Sequence, residues 1–243
     1  MRTLIISDVH ANLTALNAVL AHAAPYDRVW CLGDVVGYGP DPNECIERIK
    51  ALPLLKCVKG NHDAAILGEI DIKAFNYEAR ASLEWLKSKL GPENKRWLAS
   101  LKERLVFDNI TIAHGSPRNP VWEYIMDVRS ARENMVAFDT QICLVGHTHI
   151  PGVYKMDEDT PRSVHLYNMP PGDPFTLTQK SIVNPGSVGQ PRDHNPRSSY
   201  LMVDDESNEW VYHRVDYDIE KVQERILAAG LPQRHASRLT EGW

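Results

Sequence analysis

The sequence predicts an α/β fold, and three observations carry that reading. A short apolar, β-branched run is followed three times by a loop and a segment with helical apolar spacing. Beyond residue 103 the pattern changes to eight closely spaced strand-like runs. Polar, chemistry-bearing residues recur where apolar runs end, as "SDVH", "GDVVGYG", "GNHD", "AHGSP" and "GHTHIP".

Taken in order, "RTLIIS" (2–7) reads as a strand, and "NLTALNAVLAHA" from Asn12 as a helix with Asn12 as its cap. "RVWCLG" (28–33) leads through a Gly/Pro-rich loop to the helix "PNECIERIKAL". "LLKCVKG" (54–60) precedes "NHDAAILGEI". Three βα units in succession argue for a largely parallel sheet covered by helices. Helices follow around "YEARASLEWLKSKL" and "ENKRWLASL". The later strands, "RLVFD", "ITIAHG", "QICLVGHTH", "GVYKM", "SVHLYN", "SIVNPGS", "SYLMVD" and "EWVYHRV", are close enough for hairpins and a second sheet. A last helix, "DIEKVQERILAAG", precedes a polar tail from about residue 231 that is expected to be loosely held. No linker-like stretch interrupts residues 1–243, so one domain is expected.

Composition excludes several classes. With 27 Lys plus Arg against 32 Asp plus Glu the formal charge is −5, and no dense basic block offers a footprint for a nucleic-acid backbone. No apolar run reaches the ~18 residues of a membrane span, and Met1 runs almost at once into "TLIIS", leaving no room for a signal peptide. The four cysteines form no CxxC pair and read as buried thiols in a reducing compartment, so the chain is expected to be cytoplasmic.

Strand ends on the carboxyl side of an α/β sheet form the crevice where ligands bind. Asp8, His10, Asp34, Asn61, His62, His114, His147 and His149 can therefore converge in one pocket. Imidazole, carboxylate and amide oxygen without thiolate suit first-row divalent metals, and eight such groups exceed what one ion needs. Two ions about 4 Å apart, bridged by one carboxylate, can clamp a phosphoryl oxygen and activate water for in-line attack. Singly, each motif has an ordinary reading as a cap, a turn or a satisfied loop histidine. Five strand ends acquiring such residues together do not.

These residues resemble the calcineurin-like metallophosphoesterase superfamily, whose D-x-H, G-D, G-N-H-D, H and G-H-x-H pattern appears in order between residues 3 and 187. The resemblance implies a four-layer αββα sandwich, two mixed β-sheets flanked by helices. It assigns Asp8, His10, Asp34 and His149 to one ion and Asp34, Asn61, His114 and His147 to the other, with Asp34 bridging. His62 would stay off the metals to stabilise or protonate the leaving oxygen, with Asp63 fixing its orientation; Asp63 also reads as a cap of the following helix. The expected cofactor is a pair of divalent ions, manganese ahead of iron, zinc or nickel. Within the superfamily, "NPGSVGQPR" and "GDVVGYGP" are similar to the bacterial and archaeal small-phosphodiesterase branch.

One departure bears on substrate. Ser/Thr phosphatases and symmetrical diadenosine tetraphosphate hydrolases carry an arginine soon after G-D, where this chain has "VVGYG". A phosphate clamp must come from elsewhere, and Arg118 and Arg192 are the candidates by motif. Tyr38 either touches substrate or covers the cleft, and "NPGS" either contacts substrate or makes a turn at its rim. His22, His165, His194, His213 and His235 have no partner motif and read as surface or strand residues. Trp30, Trp85, Trp97 and Trp210 read as packing. The expected activity is metal-dependent hydrolysis of small phosphomonoesters or phosphodiesters, nucleotides included. The alternatives are a diadenosine tetraphosphate hydrolase and a non-catalytic interaction module on the same fold, as in the retromer subunit.

Overall fold

Alternation along the first strand decides the layering. In the computed structural model, which describes residues 1–157, 159–160 and 163–243, the side chains of β1 (Arg2–Ile6) part to two apolar clusters: Leu4 and Ile6 join one, Ile5 the other. A strand buried on both faces needs a covering layer on each.

The layer on the Leu4 and Ile6 side is helical. Helix α1 (Leu13–Ala23) is capped by Asn12, whose side chain accepts from the Ala15 amide, and it buries Leu16, Val19 and Leu20. It is joined there by Ile46 and Ile49 of α2 (Pro42–Lys50), Leu83 and Leu86 of α4 (Tyr77–Lys89) and Leu98 of α5 (Pro92–Ser100). Helix α3 (Asn61–Leu67) contributes Ala65 and Ile66.

On its other side Ile5 meets a second sheet. The first sheet runs β3-β2-β1-β11-β12-β9, with β2 (Arg28–Cys31) and β3 (Lys56–Cys57) parallel to β1. β11 (Ser198–Asp204), β12 (Glu209–Val215) and β9 (Pro174–Phe175) complete it antiparallel. The second runs β4-β5-β6-β10-β7-β8. Its centre, β5 (Ile110–Ala113), β6 (Ile142–Leu144) and β10 (Ser181–Asn184), is parallel. β4 (Arg104–Phe107), β7 (Gly152–Met156) and β8 (Val164–Tyr167) flank it antiparallel. Ile5, Trp30 and Leu201 of the first sheet pack against Ile112, Leu144 and Val183 of the second. Helix α6 (Val128–Asn134) covers the outer face through Ala131, against Cys143 and Ile182. The result is the expected αββα sandwich of two mixed sheets.

Several expectations change. The hairpin β11-β12 returns to the first sheet, because Leu201 and Val203 face the inter-sheet core while Tyr200 and Met202 face the helices. The strand read at 54–60 shrinks to β3, since Leu54 is exposed and has a left-handed φ of 42°. The tail expected to be loose contains α8 (Gln233–Glu241), which packs His235, Ala236 and Leu239 inward; Ala236 and Leu239 meet Val222 and Ile226 of α7 (Ile219–Ala228). His235 is accordingly a buried helix residue, whose Nε2 donates to the Glu78 carbonyl oxygen. All four cysteines are buried and free. No helix of the described residues is long and apolar enough to cross a membrane.

Candidate metal centre

Parallel strands of both sheets end at the same place. Asp8 and His10 follow β1, Asp34 and Tyr38 follow β2, and Asn61, His62 and Asp63 form the first turn of α3 after β3. From the second sheet, His114 follows β5, His147 and His149 follow β6, and Arg192 follows β10. Asp8, His10, Asp34, His147 and His149 all have φ between 47° and 67°, the left-handed region that side chains with a Cβ adopt at a cost. Backbone strain of this kind persists only where surrounding structure over-determines it, and here it turns consecutive polar side chains toward one point.

The ring orientations can be read from the second nitrogen of each imidazole. His10 Nδ1 donates to the Val36 carbonyl at 3.2 Å, and His149 Nδ1 to that of Gln190 at 2.6 Å. Both Nε2 atoms therefore carry lone pairs, and they face each other at 3.1 Å. Asp8 Oδ1 lies 3.2 Å from His149 Nε2 and has no hydrogen-bond donor among the described residues. The second group repeats the arrangement. His114 Nδ1 donates to the Leu32 carbonyl at 2.9 Å and His147 Nε2 to that of Trp122 at 3.1 Å. This leaves His114 Nε2 and His147 Nδ1 as lone pairs 3.2 Å apart, with Asn61 Oδ1 3.1 Å from the former. Asp34 Oδ2 stands between the groups, 3.6 Å from His10 Nε2 and 3.4 Å from His114 Nε2.

Acceptors facing acceptors in a buried space repel unless a cation lies among them. Imidazole, carboxylate and amide oxygen are the donor set of first-row divalent ions. The ligand atoms of Asp8, His10 and His149, and those of Asp34, His114 and His147, each lie within 4.8 Å of one another. The residues thus fit two ions, with Asp34 placed to reach both. Electrostatics agree. Burial depresses His114, but Asp34 and Asp8 outweigh it and raise its pKa to about 9, so the carboxylates favour a positive charge at His114 Nε2 that a cation would supply in place of the proton, while His10 and His147 are driven well below the usual range by burial and neighbouring imidazoles. Burial pushes Asp8 up, yet His149 brings it to about 2. The carboxylates call for positive charge that the crowded imidazoles cannot all supply.

Close backbone packing fixes the rest. A Cβ on Gly60 would collide with Asp34 Oδ1, and one on Gly37, at φ 108°, with His62 Nδ1. Asp34 Oδ1 accepts from the His62 amide at 2.9 Å. Asp63, expected to fix the orientation of His62, bonds main chain: its carboxylate accepts from the amides of Val35, Val36 and Gly60, tying the loop after β2 to the start of α3. Its reading as a cap holds, because that carboxylate closes the first turn of α3. "NPGS" is a turn that shapes the site: Asn184 Nδ2 donates to Gly146 O and Thr148 Oγ1, and Ser187 Oγ to Asp8 O.

A cavity of about 230 Å³ opens beside the cluster, reached by Asp34, Asn61, His62, His147 and His149. His62 lines it, with its buried Nδ1 unpartnered; burial lowers its pKa to about 4, so the ring is neutral near pH 7. Tyr38 is buried and lines it too, its ring 4.5 Å from that of His62. Arg192 reaches the cavity, and its Nη2 donates to Tyr38 Oη at 3.3 Å. Arg118 does not. Its guanidinium is half exposed and engaged by Glu123 and Glu133, so it is a surface ion-pair residue rather than a phosphate clamp.

Sequence reasoning missed Phe75, Trp122, Tyr124 and Arg238, all of which line the cavity. Tyr124 stacks on His147 with ring centroids 3.7 Å apart, and Phe75 meets Trp122 edge to face. None of the four stands in a polar strand-end motif. The spacing of His235, Arg238 and Leu239, three and four apart on one helix face, was the available signal for Arg238.

Comparison with known proteins accords with this geometry. Residues 1–208 match the sequence profile of the calcineurin-like phosphoesterase superfamily domain. An uncharacterised protein of Methanocaldococcus jannaschii is 36% identical over 248 residues, covering 98% of this chain and 97% of that protein. The crystal structure of a metallophosphoesterase from Sphaerobacter thermophilus superposes with a TM-score of 0.90 at 44% identity, covering 100% of this chain and 99% of that one. A symmetrical bis(5'-nucleosyl)-tetraphosphatase of Proteus mirabilis is 32% identical over 139 residues, which span 55% of this chain and half of that enzyme.

Proposed function

Because the chain belongs to the calcineurin-like phosphoesterase superfamily, we propose that it is a phosphohydrolase that uses two divalent ions, manganese first, to cleave small phosphomonoesters or phosphodiesters. The observation that carries this reading is the pair of facing imidazole lone pairs, fixed by main-chain carbonyls and joined by Asp34. Asp8, His10, Asp34 and His149 would hold one ion, and Asp34, Asn61, His114 and His147 the other. Bound divalent ions supply Lewis acidity toward the phosphoryl oxygens and lower the pKa of attacking water.

The chain's own residues do the rest. The carbonyls of Val36, Gln190, Leu32 and Trp122 orient the four rings, and an ion has to displace only the proton that Asp34 and Asp8 favour on His114 Nε2. An unpartnered lone pair on buried His62 Nδ1 costs less than an unpartnered N–H, so the proton sits on Nε2 and can be offered to the leaving oxygen. His62 then acts as a neutral donor that stabilises developing charge. Asp63 positions His62 indirectly, through the loop amides it ties together. Four buried thiols suit a reducing, cytoplasmic setting.

The test is a screen of manganese-loaded protein against p-nitrophenyl phosphate, bis-p-nitrophenyl phosphate, cyclic nucleotides and dinucleoside polyphosphates. The last are included for the substrate named in the Proteus mirabilis enzyme. Hydrolysis of at least one, abolished by chelation and restored by manganese, is expected. No turnover of any of them would favour the non-catalytic alternative.

A further inference from the structure

Two guanidinium groups at the cavity have no Asp or Glu partner among the described residues. Arg214 pairs with Asp193 and Arg225 with Asp41, while the half-buried Arg80 and Arg104, neither of which lines the cavity, bond main-chain carbonyls. Among the described residues, no Asp or Glu side chain lies within ion-pair distance of Arg192 or Arg238, although both line the cavity beside the candidate metal ligands. Arg192 bonds Tyr38 Oη and Gln190 Oε1, and its buried Nε has no acceptor among the described residues. Arg238 is held through Nε by the main-chain oxygen of Trp243.

The two arginines are positioned as a unit. The amide of His194, two residues after Arg192, donates to the carbonyl of Gly242 at 2.8 Å, and the rings of His194 and Trp243 stack 4.9 Å apart at 10°. Helix α8 is therefore stitched to the loop that carries Arg192. Burial and then Arg192 push the pKa of Arg238 down, as expected where like charges share a partly desolvated space. Two divalent ions would already outweigh Asp8 and Asp34. One arginine beside the ions meets the need for a clamp on the reacting phosphoryl group, so the second calls for a further anion.

We propose that Arg192 and Arg238 form a subsite for a second anionic group, so that the cavity selects esters carrying two or more phosphates over those carrying one. The subsite deepens the phosphoesterase reading and rests on it for the place of the first phosphate. Phe75, Trp122 and Tyr124 line the same cavity, which makes an adenine nucleotide a fitting probe.

The experiment is calorimetric binding of AMP and of α,β-methylene-ADP, which resists cleavage between its phosphates, to manganese-loaded protein. The wild type should bind the diphosphate at least about tenfold more tightly, the worth of one good charge-assisted contact. Arg238→Ala should bring that ratio close to one, and Arg238→Gln, which keeps the stem through Cδ and the helix propensity, should do the same. Arg234→Ala removes a charge from the same helix away from the cavity and should keep the ratio. Equal affinities in the wild type, an unchanged ratio in both Arg238 variants, or a ratio lost equally in Arg234→Ala would each overturn the subsite. Phosphoester hydrolysis without the ratio leaves the phosphoesterase reading standing and removes only the subsite; the ratio without hydrolysis does the reverse.

Discussion

The ligand cluster and the arginine pair belong to one cavity but are built by different means. Each ligand lies within a few residues of a strand end, most on a left-handed backbone, and four imidazoles are pinned by a main-chain carbonyl. Arg192 stands on a loop and Arg238 on a helix, and contacts between the distant residues 194 and 242 to 243 bring them together. The cluster is thus set by local rules repeated at five strand ends, and the pair by tertiary packing alone. Chemistry in this fold is carried by short motifs, whereas what the cavity selects is carried by segments with no motif.

The comparison breaks first at Asp34, the group that both halves of the cluster share. Asp34→Asn removes the carboxylate facing both imidazole pairs and should lower kcat/KM by about 10³ or more, since several kcal/mol of charge stabilisation are at stake. Steady-state kinetics under saturating manganese would check it, and a near-native rate would mean that Asp34 does not join the two groups.

His62 comes next. His62→Ala should keep the metal content and lower turnover of an alkyl phosphoester by about 10²–10³, the usual worth of one preorganised hydrogen-bond donor to developing charge. The p-nitrophenyl ester, whose leaving oxygen delocalises its charge into the ring, should lose much less. Loss of a metal in this variant would make His62 a ligand, as its proximity to Asp34 and His10 would allow.

The smallest effect sharpens the contrast between motif and packing. Arg118 was a clamp candidate by sequence proximity to His114, yet its partners are Glu123 and Glu133 at the surface. Arg118→Ala should change kcat/KM by less than about twofold and leave stability nearly unchanged, as for exposed ion pairs. A tenfold rise in KM would show that the arginine reaches substrate after all.

Legibility in the sequence followed the same division. The αβ units, the cap at Asn12 and the convergence of five motifs could be read because each rests on local periodicity or on residues beside a strand end. Helix α6 escaped because "VRSAREN" buries only Ala131 and Asn134, leaving no apolar stripe, although Asp127 and Ser130 cap one another. Helix α8 escaped for a related reason: its inward face is His235, Ala236 and Leu239, too thin to stand out in a polar segment, and its cavity residue is an arginine that reads as solvated. Asp63 was readable as a cap, while its grip on the loop after β2 depends on amides 27 and 28 residues away in the chain.

The central claim is that four imidazoles and two carboxylates are arranged for two divalent ions, and metal stoichiometry tests it most directly. Protein stripped of metal, loaded with manganese and freed of excess by gel filtration should carry about two ions per chain by elemental analysis. A reproducible value near zero for the wild type would contradict the account.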